Sequence, residues 1–382
     1  MTRRTRHLNS WNAAVAAAAL IAVCAAVANA QEGPSGITSP TVLPPFRQDA
    51  AVCKAPPGLQ RVIGFAQDNE REFMQGVRQG LSMAAKDRHL EFKVALANND
   101  ANLMIEQVDA FELAKTGAVI AAPVDAPGLS QSLKRVIWSG GYVGTIVPPP
   151  ATTILNAPQY LTGKVLGDSA AAYIRDRLGG KAKVVLLTHD SLQFLAPRFT
   201  AIRDALRELP GVTIVADISP ATVNKEGGAA TMRTILLAQP KIDVVLGADT
   251  VVLGALEALR QAGKARPDQF LGGIDGEPEA VAEIKKQGPY KASVSLASPI
   301  FGYALGYYAA DWLEGKSVPQ AMDILPRSLT AANIAQYESD LENPGAVFAD
   351  AARRSEYLKM YGNICYDTRD GFLNFPWSSE KR

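Results

Sequence analysis

VIGFAQDNEREFMQGVRQGLSMAAKDRHLEFKVALA, residues 62–97, changes pattern twice over a short stretch. The run Val62–Ala66 has no polar face and reads as a strand buried on both sides. Phe73, Val77, Leu81 and Ala84 then recur at helical spacing within Glu72–Lys86, and Lys93–Ala97 returns to strand character. Two strands joined by a helical crossover lie parallel, and a parallel sheet needs cover on both faces.

The same alternation extends outward. Further strands are expected at Ala118–Ala122, Tyr142–Val147, Ala182–Thr188, Val212–Ile218, Val244–Gly247, Phe270–Ile274 and Ala292–Leu296. Helices are expected at Leu103–Lys115, Gly163–Leu178, Phe199–Leu209, Val251–Ala262 and Pro299–Glu314. Pro148-Pro149-Pro150 breaks the rhythm after four units and marks a crossing between two lobes. About 350 residues beyond the leader exceed what one core usually holds, which also favours two lobes. The fold class is α/β, with two doubly wound parallel-sheet lobes, an N-terminal arm and an extra C-terminal tail.

Upstream, Arg3, Arg4 and Arg6 precede the apolar run Ala13–Ala28, and Ala28-Asn29-Ala30 closes it. This is the pattern of a signal peptide over residues 1–30, cleaved after Ala30 for export to the periplasm. The run is shorter than the ~20 residues that span a bilayer. Val23 before Cys24 does not fit a lipidation box, and the residues expected after a twin-arginine pair are absent. Losing three Arg and no acid takes the formal charge from +1 to −2. That near-neutral balance gives no reason to expect nucleic acid or an anionic membrane as partner. Of three cysteines, Cys53 and Cys365 survive processing. An even pair in an exported chain reads first as a disulfide, and otherwise as two buried thiols. The bridge would close roughly 310 residues and could stabilise by up to ~5 kcal/mol.

Ligands of doubly wound sheets bind at the carboxyl ends of strands. The loops there contain Gln67-Asp68-Asn69, Asn98-Asn99-Asp100, Pro123-Val124-Asp125, His189-Asp190-Ser191, Ala248-Asp249-Thr250 and Asp275-Gly276-Glu277. Such residues suit a small polyhydroxylated or amide-bearing ligand. Each serves equally well as a helix N-cap, with Asp100 and Asp249 the best placed.

The order of these phrases resembles the periplasmic sugar-binding proteins of the ribose type, kin to LacI-like ligand-binding cores. The resemblance covers roughly residues 61–330. Its marks include Ala121-Ala122-Pro123-Val124-Asp125, Gly247-Ala248-Asp249-Thr250, Gly272-Gly273-Ile274-Asp275-Gly276 and Gly315-Lys316-Ser317-Val318-Pro319. It implies two lobes joined by a three-segment hinge, with residues 60–150 and about 297–324 in the N-terminal lobe. Residues 151–296 and about 325–333 form the C-terminal lobe, flanked by an extended arm at 31–59 and an extension at 334–382. Carried over position by position, it implies ligand contacts from Arg71, Phe73, Asn99 and Asp100 in the first lobe and Arg198 and Asp275 in the second. Asp68, Asp125 and Asp249 are secondary candidates. Ala248, Leu296, Val147-Pro148 and Arg71 depart from the family pattern. The resemblance implies a sugar-like or polyol ligand, and these departures point to a less hydroxylated, partly apolar or anionic one.

No catalytic motif stands out. His189-Asp190-Ser191 are adjacent and cannot face one another as a triad requires. No nucleophile elbow, zinc-binding helix or phosphate loop is present, and neither a cofactor nor a metal is expected. The resemblance implies a solute-binding protein that serves an ABC permease as a monomer. The alternative partner is a histidine kinase or chemoreceptor. Aromatic residues from Tyr337 to Trp377 imply that the C-terminal extension folds back on the body.

Overall fold

The computed structural model describes residues 34–50, 53–189 and 193–380. The expected export signal at 1–30, with Cys24, and the pair Asp190-Ser191 lie outside the described residues. The chain begins with β1 (Gln60–Gln67), α1 (Glu72–Asp87), β2 (Glu91–Leu96), α2 (Ala101–Leu113) and β3 (Thr116–Ala121). Next come α3 (Ala126–Trp138), β4 (Tyr142–Ile146) and β5 (Thr153–Asn156). A second alternation has α4 (Gln159–Arg177), β6 (Lys181–Leu187), α5 (Ala196–Arg207), β7 (Gly211–Ile218) and α6 (Lys225–Ala238). It continues through β8 (Val244–Leu246), α7 (Asp249–Gln261), β9 (Phe270–Asp275), α8 (Pro278–Lys285) and β10 (Tyr290–Ser295). Last are α9 (Ser298–Leu313), β11 (Ala321–Ile324), β12 (Arg327–Leu329), α10 (Ile334–Glu342), α11 (Pro344–Ala349), α12 (Ala351–Ser355) and β13 (Leu358–Tyr361).

These strands form two sheets, one ordered β13-β11-β5-β4-β3-β1-β2 and the other β12-β10-β9-β8-β6-β7. All pairs are parallel except the edge strands β13 and β12, which run antiparallel to β11 and β10. The central β3 is buried along its whole length, as a strand covered on both faces must be. In the first lobe α1 packs on α9 and α2 on α3; in the second, α4 packs on α5 and α6 on α7.

The first lobe runs further than residue 150. Thr153–Asn156 pairs with β4 and carries the first sheet onward, so the chain crosses to the second lobe between Asn156 and Gln159. The prolines at 148–150 sit in a turn before β5. The strands β5, β11, β12 and β13 are three or four residues long, too short to impose a periodicity.

The C-terminal extension is folded. β13 adds an edge to the first sheet, and Phe348 of α11 packs among Tyr303, Tyr307 and Tyr308 of α9. The arm follows it, with Ile37 bridging to Leu373 and Pro45 to Tyr361. Cys53 and Cys365 form a disulfide that spans 312 residues, with Cα atoms 6.1 Å apart. Lys54 N–H donates to Asp367 Oδ2 at 2.7 Å beside it. A Cys53→Ser/Cys365→Ser protein is expected to lose roughly 2–5 kcal/mol, read from the urea midpoint. An unchanged midpoint would mean that the surrounding hydrogen bonds hold the junction unaided.

Candidate ligand-binding cleft

Both sheets reverse strand order, the first between β3 and β1 and the second between β6 and β8. The loops after these strands meet around a cleft of about 2060 Å³. This exceeds the ~300–1000 Å³ of a usual small-molecule pocket. Asp68, Arg71, Phe73, Ala122 and Pro123 line it from the first lobe; His189, Arg198, Ala248 and Asp275 line it from the second.

Arg198 lies in the first turn of α5 and is 6 % exposed. Its Nε donates to Gln159 Oε1 at 3.0 Å, and its Nη1 stands 3.8 Å from Asp275 Oδ1. Burial lowers the pKa of the guanidinium, and Asp275 opposes that shift. Close helix packing sets its position: a Cβ on Gly163 would lie 1.8 Å from the Arg198 carbonyl oxygen. Only glycine allows α4 and α5 to approach so closely.

Asp275 ends β9 at φ 122°, followed by Gly276 at φ 74°. This sparsely populated backbone is held by Asp249 beneath it. The buried Asp249 carboxylate accepts from Tyr290 OH at 2.6 Å, Ser293 Oγ at 2.6 Å, Gly276 N–H at 2.8 Å and Glu277 N–H at 2.9 Å. Asp249 is thus neither a cleft residue nor a cap, because Ala248 takes the N-cap position of α7. Its role is to fix the turn that presents Asp275 and Glu277.

Burial raises the Asp275 pKa to about 6; Arg198 and Arg71 lower it, and Asp249 raises it. Glu277 is pushed up to about 8, mainly by burial and then by Asp249 and Asp275. Ionising a carboxyl whose folded pKa is raised costs stability, so that cost grows as pH rises from the unfolded value through the folded one. Glu277→Gln is therefore expected to raise the melting temperature at pH 9, with the gain vanishing towards pH 4. A gain independent of pH would contradict the assignment.

From the first lobe, Phe73 offers a half-buried ring in edge contact with Phe301, centroids 6.0 Å apart. Met74 beside it is 4 % exposed. Arg71 precedes α1; its Nε donates to Asn69 Oδ1 at 3.0 Å, and its Nη2 lies 3.7 Å from Asp68 Oδ2. Its side chain is 74 % exposed, so it can reorient towards an incoming group.

Not every candidate reaches the cleft. Asn99 and Asp100 are absent from its lining, and Asp100 caps α2 by accepting from Asn102 and Leu103 N–H at 2.9 and 3.1 Å. Asp125 precedes α3, exposed and outside the lining. Gln159, Tyr337, Leu341 and Glu342 line the cleft instead. No local sequence signal ties Tyr337 to the cleft, because it arrives from the distant extension. Its hydroxyl meets Ser295 Oγ, and burial pushes its pKa up to about 12.

A periplasmic binding protein domain family model matches residues 62–317. The ribose import binding protein RbsB of Bacillus subtilis (strain 168) is 28% identical over 261 residues, covering 65% of this chain and 80% of the relative. A xylitol-binding protein of Mycolicibacterium smegmatis is 28% identical over 231 residues, covering 58% of this chain and 64% of the relative. An ABC transporter solute binding protein from Bacillus halodurans C-125, with bound myo-inositol, superimposes with a TM-score of 0.62 at 22% identity. That match covers 74% of this chain and 98% of the other, and it shows a shared fold. By the extent of the domain match, this chain belongs to the periplasmic binding protein domain family.

Proposed function

We propose that this protein is the periplasmic solute-binding component of an ABC importer, trapping a sugar-like or polyol ligand between its lobes. The observation that carries the reading is the buried Arg198 beside Asp275, facing Phe73 and Arg71 across one cleft. An arginine donor and a carboxylate acceptor suit vicinal hydroxyls, and an aromatic ring suits the apolar face of a sugar. Relatives named for ribose import and xylitol binding support the same ligand class. A ligand that touches both lobes favours the closed arrangement, because its affinity differs between the two states.

The pocket's departures set limits on the ligand. Ala248 and Leu296 line the cleft with no side-chain hydrogen-bonding group, so a fully hydroxylated hexose would leave hydroxyls unpaired. A smaller polyol, or a deoxy or methylated sugar, fits these walls better. A thermal-shift screen of the mature protein against pentoses, hexoses, polyols and carboxylates tests the proposal. Ligand at 100 times its dissociation constant is expected to add ~2.7 kcal/mol of stability. Shifts confined to carboxylates, with none from sugars or polyols, would contradict it.

A further inference from the structure

We propose that the C-terminal extension braces the hinge: it bonds to each of the three crossing segments and so governs how freely the lobes part. The proposal rests on the two-lobe trap described above. On the first-lobe side of the first crossing, Ala151 and Leu373 exchange backbone hydrogen bonds of 3.0 and 2.9 Å at the entry to β5, the strand that leads into it. Just after it, the Glu380 carboxylate accepts from Leu161 N–H at 2.8 Å and Tyr160 N–H at 3.3 Å in the first turn of α4. Residues 373–380 thus hold both banks of that crossing.

At the second crossing, the Tyr337 hydroxyl meets Ser295 Oγ, which also accepts from Ala297 N–H at 2.9 Å. Ala297 carries the left-handed backbone of this segment at φ 47°. At the third, Leu325 N–H donates to the Tyr357 carbonyl at 2.8 Å. Arg327 pairs with Glu356 at 2.9 Å and lies over the Tyr357 ring at 4.6 Å.

The brace is fastened unequally. β13 and the aromatic packing of Phe348 root it in the first lobe. Its links to the second lobe are polar and separable: Glu338 to Lys285 at 2.6 Å, Glu380 to α4, and Glu356 to Arg327. Asp340 couples α10 to the rest of the extension through Arg353 and Tyr357. Hinge closure changes backbone torsions in the crossing segments. Bonds from a body rooted in one lobe to the moving lobe therefore break or form as the lobes swing, and they bias the open–closed ratio.

The test needs no ligand, so it is separate from the identity of the solute. Spin labels at Leu113→Cys and Leu237→Cys, exposed by 84% and 88% on the two lobes, report the lobe separation in the full mature chain by pulsed electron resonance. Tyr337→Phe, Glu380→Ala and Arg327→Met each remove the side-chain link at one crossing, and Lys164→Ala removes an ion pair within α4 as a control. Each release is expected to change the ratio of minor to major separations by about five-fold, and the control to leave it unaltered. Distributions that coincide with the parent in all three single variants would overturn the brace, as would an equal change in Lys164→Ala. Melting temperatures identify any variant that fails to fold, and the remaining single variants then decide.

Discussion

Arg198→Met is expected to weaken ligand binding by about 100-fold or more while the protein remains folded. The guanidinium is held by Gln159 on one side and lies 3.8 Å from Asp275 on the other. A donor already oriented and largely desolvated loses little entropy when it meets a ligand hydroxyl, so most of its interaction energy appears as affinity. Methionine keeps much of the volume and removes every donor. It also leaves Asp275 without its nearest cation, so the Asp275 pKa should rise further above about 6. Titration calorimetry with the compound that gives the largest thermal shift measures the effect. A dissociation constant within three-fold of the parent, by order of magnitude, would remove Arg198 from the site.

Asp249→Ala is expected to be the most damaging single change in the second lobe, at about 3–5 kcal/mol. The substitution strips the acceptor from four donors at once: Tyr290, Ser293 and the N–H groups of Gly276 and Glu277. Each buried donor left unpaired costs about 1–3 kcal/mol, although the four belong to one network and their costs do not simply add. The same loss releases the turn that holds Asp275 at φ 122°, so residual folded protein should also bind ligand poorly. Asp249→Asn is the sharper variant, since its amide NH₂ is pointed at donors. Urea denaturation reads the stability, and a loss below ~1 kcal/mol would show that water substitutes for the carboxylate.

Much of the α/β rhythm was legible because long parallel strands are continuously apolar. Ile63, Phe65, Val119 and Val185 are all fully buried, and their spacing with amphipathic α1 leaves few alternatives. The first-sheet strand β5 escaped because Thr153–Asn156 is short and follows three prolines that look like a domain break. Three helices among the described residues of the two lobes were not expected: the eight-residue α8, and the longer α3 and α6.

Cleft residues were legible where one loop supplies the whole geometry. Arg71 and Phe73 follow β1 and Asp275 ends β9, so the positions that the resemblance implied lie where strand ends meet the cleft. Asp100 and Asp249 show the limit of that logic. Asp100 takes the cap role that the sequence offered beside ligand contact, whereas Asp249 takes neither role and lies beneath the turn that carries Asp275. Whether an aspartate faces a ligand or a backbone N–H depends on a few degrees of torsion that no spacing encodes. Tyr337 lay further out of reach, because its place beside Ser295 depends on the folding of the whole extension.

The most direct measurement of the central claim is small-angle X-ray scattering of residues 31–382, alone and saturated with the best ligand from the thermal screen. Closure of the cleft of about 2060 Å³ predicts a smaller radius of gyration and a shorter maximum dimension on saturation. Saturation confirmed by calorimetry with an unchanged scattering profile would contradict the trap.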